Sequence, residues 1–240
     1  MSDPILTLSG VKTDIEQYNI LHGVDLEVPR GQVTMLLGRN GAGKTTTLRS
    51  IMGLWKPRAG SIRFDGVEIA GLTPPQIARR GVGFVPEDMG IFADLTVEEN
   101  LILAAISGPI KRDRLDWIFA AFPALSTFWK MPAGNLSGGQ KQMLAIARAV
   151  IEKRGLYLID EPSKGLAPAI IATMARALKD LKADGASILM VEQNFSLARA
   201  LGDHAVVMDD GRIVWNGTMA ELAADTALQE RLMGLKMEVA

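Results

Sequence analysis

Gly38-Arg39-Asn40-Gly41-Ala42-Gly43-Lys44-Thr45 decides the fold, lying directly after the apolar run Gln32–Leu37 and directly before a helix read over Lys44–Met52. It fits the pattern G-x-x-x-x-G-K-[ST] in the strand–loop–helix setting that gives that pattern its meaning. Glycines let a backbone wrap with its N–H groups pointing inward, and the start of a helix adds partial positive charge at the same spot. Gly38, Arg39, Asn40, Gly41, Ala42 and Gly43 are therefore candidate phosphate-cradle residues. Lys44 is the candidate charge partner of the outer phosphates, Thr45 a hydroxyl ligand for Mg2+, and Thr46 a further phosphate contact.

A second constellation sits at the end of another apolar strand, Leu156–Ile159, which runs into Asp160-Glu161. Parallel sheets gather ligands at the carboxyl ends of their strands, so both acids are expected to project toward the phosphate loop. Adjacent residues on a strand point to opposite sides, which allows separate tasks. Asp160 is the candidate metal-shell residue, and Glu161 the candidate base for an attacking water.

Outward from these segments, strand-like runs alternate with helical ones. Ile5–Val11, Val24–Val28, Gly81–Pro86, Ser187–Val191, Ala205–Met208 and Arg212–Trp215 read as strands, with a hairpin over Ser61–Phe64 and Val67–Ile69. Pro168–Ala183, Phe195–Leu201 and a last helix capped by Thr218 read as helices. The middle has another character. Thr96 with Glu99 opens a helix through Ile106, Asp113–Phe122 is helical, and so is Ser137–Glu152. The fold class is α/β: a mostly parallel sheet under helices, an antiparallel β portion at the N-terminal end, and a helical insertion at about 88–154 within one domain spanning 1–240.

Composition excludes several classes. The 240 residues carry 26 Lys+Arg against 27 Asp+Glu, a net charge of -1, which offers no general attraction to nucleic acid. With no cysteine there is neither a disulfide framework nor a thiolate metal site. The most apolar windows, Leu101–Ile106 and Met143–Ile151, fall well short of the roughly 20 residues of a membrane span, and the N-terminus has no secretory pattern. A role at a membrane would be peripheral. The 12 methionines read as core filler.

Leu136-Ser137-Gly138-Gly139-Gln140 is, by itself, a helix-start capping box with two costly glycines. It also resembles the signature of the ABC ATPase family. Gln142, Ala145, Ala147, Arg148 and Ala149 are similar to that family's signature helix, and the motifs follow the family's order along the whole chain. The resemblance implies an ATP-hydrolysing subunit using ATP and Mg2+, paired head to tail with a second ATPase subunit, identical or paralogous. Ser137, Gly138, Gly139 and Gln140 of one subunit would then meet nucleotide held by the other. It further implies transmembrane permease subunits as partners, an extracytoplasmic solute-binding protein acting indirectly, and a place on the cytoplasmic face of the membrane.

Three positions depart from the commonest family pattern. Glu87 stands where a metal- and permease-sensing glutamine is usual, Ala167 replaces an aspartate in Ser163–Pro168, and Gln193 replaces the switch histidine in Val191-Glu192-Gln193-Asn194. Together they resemble the ATPases of branched-chain amino-acid-type importers. Glu87 becomes a candidate metal-shell residue, and Gln193 a candidate for orienting water without acid–base chemistry. Ile15 takes the place of the usual adenine-stacking aromatic, with Tyr18 as the alternative. His22 and His204 read as structural. The competing function is a non-transport ABC ATPase of DNA repair or translation. Against it, Lys44 and Ser137 lie fewer than a hundred residues apart with no heptads between them, and the chain has one such domain. A binding-only subunit would have lost Lys44, Asp160 or Glu161.

Overall fold

The computed structural model describes residues 3–233. In chain order, β1 (Leu6–Ile15), β2 (Tyr18–Val28) and β3 (Val33–Leu37) lead through the phosphate loop into α1 (Lys44–Ile51). Next come β4 (Ala59–Phe64), β5 (Val67–Glu68), α2 (Pro74–Arg79) and β6 (Val82–Val85). The middle holds α3 (Val97–Ala104), α4 (Arg112–Ala121), α5 (Pro123–Thr127) and α6 (Gly138–Val150). Then follow β7 (Leu156–Asp160), α7 (Pro168–Ala183), β8 (Ser187–Val191), α8 (Phe195–Leu201), β9 (His204–Asp209), β10 (Arg212–Thr218), α9 (Met219–Ala224) and α10 (Thr226–Met233).

One sheet is antiparallel, in the order β2-β1-β4-β5, and the other runs β10-β9-β3-β8-β7-β6. The second is parallel from β9 to β6, with β10 antiparallel at its edge. Its central strands β3, β7 and β8 are buried throughout and mostly apolar, because both faces are covered. Along β3, Val33, Met35 and Leu37 join the core made with the helical stretch, while Leu36 turns to the core shared with the antiparallel sheet. Phosphate loop and acidic strand end thus emerge from one rigid layer.

The helical stretch packs onto this layer rather than standing apart. Val97, Leu101, Ile118, Phe122, Leu136, Leu144 and Ala147 are buried in the same core as Val85, Tyr157 and Ile159. Thr96 and Ser137 form the expected capping boxes. The first hairpin differs from expectation, since its strands continue to Ile15 and restart at Tyr18. Lys12 faces solvent and Thr13 is buried against the Ser50 hydroxyl, so a polar inward residue masked the alternation. Glu16, with a left-handed φ of 55°, makes the reversal. The expected last helix is two, α9 and α10, separated at Asp225.

Candidate nucleotide site

At the end of β3 the chain must turn through a backbone that side chains rarely adopt. Gly38 has φ 140°, and a Cβ there would lie 2.1 Å from the Met208 carbonyl oxygen. Gly43, at φ 105°, is the N-cap residue of α1, and no side chain caps that helix. Its first N–H groups are therefore left to whatever enters the loop. Lys44 is buried and its Nζ donates to the carbonyls of Gly38 and Arg39, both at 2.9 Å. Burial lowers its pKa, opposed by the nearby Glu161 and Asp160 carboxylates.

β7 delivers the acids as expected. Thr45 Oγ1 donates to Asp160 Oδ1 at 3.1 Å, and Asp160 Oδ2 is buried with no partner. Desolvation lifts the Asp160 pKa to about 6, helped by Glu87 and Glu161 and opposed by the Thr45 hydrogen bond. An orphaned carboxylate oxygen beside a threonine hydroxyl fits one side of a Mg2+ shell, which usually takes one or two protein oxygens and completes itself with phosphates and water. Among the described residues no cluster of three His, Cys, Asp or Glu forms a metal cage.

Glu161 departs from the simple strand reading. It sits just past β7 with a left-handed φ of 45°, a conformation costly for a non-glycine residue, and its N–H donates to the Val191 carbonyl at 2.9 Å. The twist aims its side chain at the cleft, where Gln193 Nε2 donates to Glu161 Oε1 at 2.6 Å. The cap of α8 is Asn194, whose side chain accepts from Leu197 N, so the Gln193 amide is free for this contact. Glu87 also reaches the cleft and pairs with Lys164 Nζ at 2.6 Å.

An open cleft of about 370 Å3 collects Asn40, Gly41, Gly43, Lys44, Thr45, Thr46, Glu87, Glu161 and Gln193. Arg39 and Gly38 line an adjoining hollow with Glu192 and Phe195, and Ala42 is buried beneath the loop. Ile15 and Tyr18 lie outside the cleft; they pair with each other at the tip of the first hairpin, where Tyr18 is 61% exposed. The apolar side chain that does line it is Ile20, further along β2. Ser137, Gly138, Gly139 and Gln140 do not line the cleft of their own chain. Neither His22 nor His204 does.

Two contributors were not singled out from the sequence. Lys164 follows Glu161 by one turn, a spacing that places it at the same opening. Glu192 is buried and accepts four hydrogen bonds, from Ser163 N and Oγ and from the backbone N–H groups of Gln193 and Asn194, at 2.9 to 3.0 Å. One carboxylate thus ties the loop after β7 to the loop after β8. The sequence signal was available in the position of an acid directly after an apolar strand, but its partners were not.

A glycine loop on an uncapped helix N-terminus, backed by a strand-end carboxylate, defines a nucleotide-binding ATPase of the phosphate-loop class. Residues 21–164 match the family described as ABC transporter, and the chain belongs to that family as an ATP-hydrolysing, ATP-binding subunit. It is 39% identical over 233 residues to the high-affinity branched-chain amino acid transport ATP-binding protein BraG of Pseudomonas aeruginosa, covering 96% of this chain and 100% of BraG. It is 32% identical over 241 residues to BraF of the same organism, which has the same description, covering 92% of this chain and 94% of BraF. A crystal structure of an ABC transporter ATP-binding cassette in its ADP conformation superposes with a TM-score of 0.81 at 26% identity, over 95% of this chain and 98% of that one.

Proposed function

We propose that this subunit powers import of branched-chain amino acids, or of a closely related small solute, through separate permease subunits at the cytoplasmic face of a membrane. The similarity to BraG over its full length carries the reading. The sequence features Glu87, Ala167 and Gln193, shared in kind with importers of this type, support it.

In this reading the uncapped N–H groups of α1 and Lys44 hold the β- and γ-phosphates, and Ile20 offers apolar contact to the base. Thr45 and Asp160 are the residues that would hold Mg2+, whose charge would offset that of the phosphates. Glu161 takes the proton of the attacking water. Its strained backbone and the Gln193 amide fix its carboxylate, and Gln193 is positioned to orient the water as well. Ser137 and Gly139 act on the nucleotide of a second ATPase subunit, since they lie outside their own cleft. Similarity to both BraG and BraF, two ATP-binding proteins of one organism, favours a paralogous partner.

The permease contact falls on the helical stretch. Phe92 (48% exposed), Ile102, Leu103 and Ile106 present apolar surface there, and Asn100 pins the Phe92 backbone with two hydrogen bonds of 2.9 Å. Among the described residues no helix is long and apolar enough to cross a membrane, in keeping with separate permeases.

Uptake of labelled leucine, isoleucine and valine in a strain lacking this gene tests the proposal. Wild-type protein should restore uptake and Lys44→Ala should not, although its level is normal. Unchanged leucine uptake in the deletion strain, with loss of another solute, would overturn the substrate assignment.

A further inference from the structure

Two carboxylates and two ammonium groups line the cleft, Glu161 and Glu87 with Lys44 and Lys164, while Asp160 lies buried behind Thr45. Lys44 is engaged by loop carbonyls on the inner side. On the outer side Lys164 Nζ lies 2.6 Å from Glu87 Oε1 and 3.8 Å from Glu161 Oε2. Glu87 and Glu161 come from segments far apart in the chain, one entering the helical stretch and the other closing β7. Lys164 is the cation that spans them.

Its position is built rather than incidental. Lys164 N donates to the Glu161 carbonyl at 3.3 Å, and Gly165 follows with φ 71°, so residues 162–165 form a tight turn. Ser163, the preceding residue, is clamped from both its N–H and its hydroxyl by the buried Glu192. The backbone of Lys164 is therefore fixed while its side chain is 64% exposed and able to swing. Both carboxylates hold the Lys164 ammonium in its charged form, Glu87 foremost.

We propose that Lys164 is a positioning residue whose ammonium serves as an internal counter-ion for Glu87 and Glu161 before metal-nucleotide enters, and releases Glu87 once a divalent cation neutralises that side of the cleft. This rests on the ATP-site assignment above. Without a cation between them, the carboxylates repel one another and any incoming polyphosphate. An exposed ion pair is weak, so a divalent ion can displace it readily. Lys164 and Mg2+ are then alternative partners of the same charges, and each makes the other less necessary.

The test is ATP affinity, measured in EDTA and again in excess Mg2+, for wild type, Lys164→Ala and Lys164→Arg. Lys164→Ala should weaken metal-free ATP binding by up to about fivefold, the upper end expected of an exposed pair, and leave Mg-ATP binding unchanged. The advantage conferred by Mg2+ should grow by the same factor, and Lys164→Arg should return it to the wild-type value. Equal weakening in both conditions is what a merely structural role predicts, and it would overturn the proposal. So would failure of Lys164→Arg to restore the ratio. A wild type that bound ATP in neither condition would instead bring down the underlying site assignment, a result distinguishable from both.

Discussion

Two helix N-termini carry the motifs of this ATPase, and they are finished in opposite ways. α1 begins at Gly43 with no side chain on its first N–H groups. α6 begins at Ser137 with both halves of a capping box in place: Gln140 N donates to Ser137 Oγ at 3.4 Å, and Ser137 N donates to Gln140 Oε1 at 2.8 Å. Unsatisfied N–H groups attract an anion; at α6 the box occupies the N–H groups of Ser137 and Gln140 and leaves those of Gly138 and Gly139, beside the Ser137 hydroxyl and with no side-chain bulk in the way. The open end thus suits phosphate capture within one chain. The closed end suits approach to phosphate already held elsewhere.

If these are two halves of one site, stopping cleavage should lock them together. Glu161→Gln keeps the shape and the Gln193 contact but removes the base, so turnover should fall by about 10²–10⁴. Light scattering with Mg-ATP should then show more dimer than for wild type, alone or mixed with a paralogous ATPase subunit. A mass distribution indifferent to ATP in both mixtures would break the pairing of open and closed ends.

The open end also bears electrostatic tension that the closed end lacks. The Asp160 pKa is raised from 3.8 to about 6 by desolvation first, with Glu87 and Glu161 adding to it. A raised carboxylate pKa means that the folded state holds a proton more tightly than the unfolded one. The ionised form is therefore destabilising above pH 6, and the penalty disappears as pH falls toward 4. Asp160→Asn should abolish Mg-ATP turnover, yet stabilise the metal-free protein by up to about 3 kcal/mol at pH 7.5, with little gain at pH 4. Urea unfolding in EDTA at both pH values measures this. A gain independent of pH would assign it to packing instead.

Much of this was legible beforehand, for identifiable reasons. The glycine loop, Asp160-Glu161 and Ser137–Gln140 are local patterns, and local patterns survive in a sequence. Ile20 was missed because its place depends on how far the first hairpin extends, and a buried polar residue, Thr13, hid the continuation. Glu192 was missed because its four donors come from two loops that only the sheet order β8-β7 brings together. The twist at Glu161 has no sequence signal, since its left-handed backbone goes with a contact to Val191 on the neighbouring strand that only the sheet brings within reach.

A smaller effect separates the hydroxyl of Ser137 from its capping duty. Ser137→Ala removes the acceptor for Gln140 N, and since that bond is long the cost should lie near 0.5–1 kcal/mol. ATP binding to the isolated chain should be unchanged, because Ser137 is not in the cleft. Turnover should fall further than the stability loss explains. Ser137→Thr, which caps almost as well, should recover stability. Weakened ATP binding by the lone Ser137→Ala chain would contradict the division between the two ends.

Gly138 gives the smallest expected effect and the sharpest discrimination. It is the first residue of α6, is exposed, and a Cβ there would have nothing within 4 Å. Its neighbour Gly139 differs, for a Cβ at that position would press on Ile170 at 3.0 Å. Packing within this chain therefore accounts for a small residue at 139 and not at 138. Alanine is preferred over glycine in a helix by roughly 0.5–1 kcal/mol, less at a first position, so Gly138→Ala should leave the isolated chain slightly more stable. If a partner's nucleotide closes onto this spot, the added methyl group should meanwhile lower turnover and ATP-dependent association. Thermal melts paired with turnover measurements decide it: higher Tm with impaired turnover supports the approach of a second site, whereas higher Tm with full turnover would leave Gly138 without a role at the closed end.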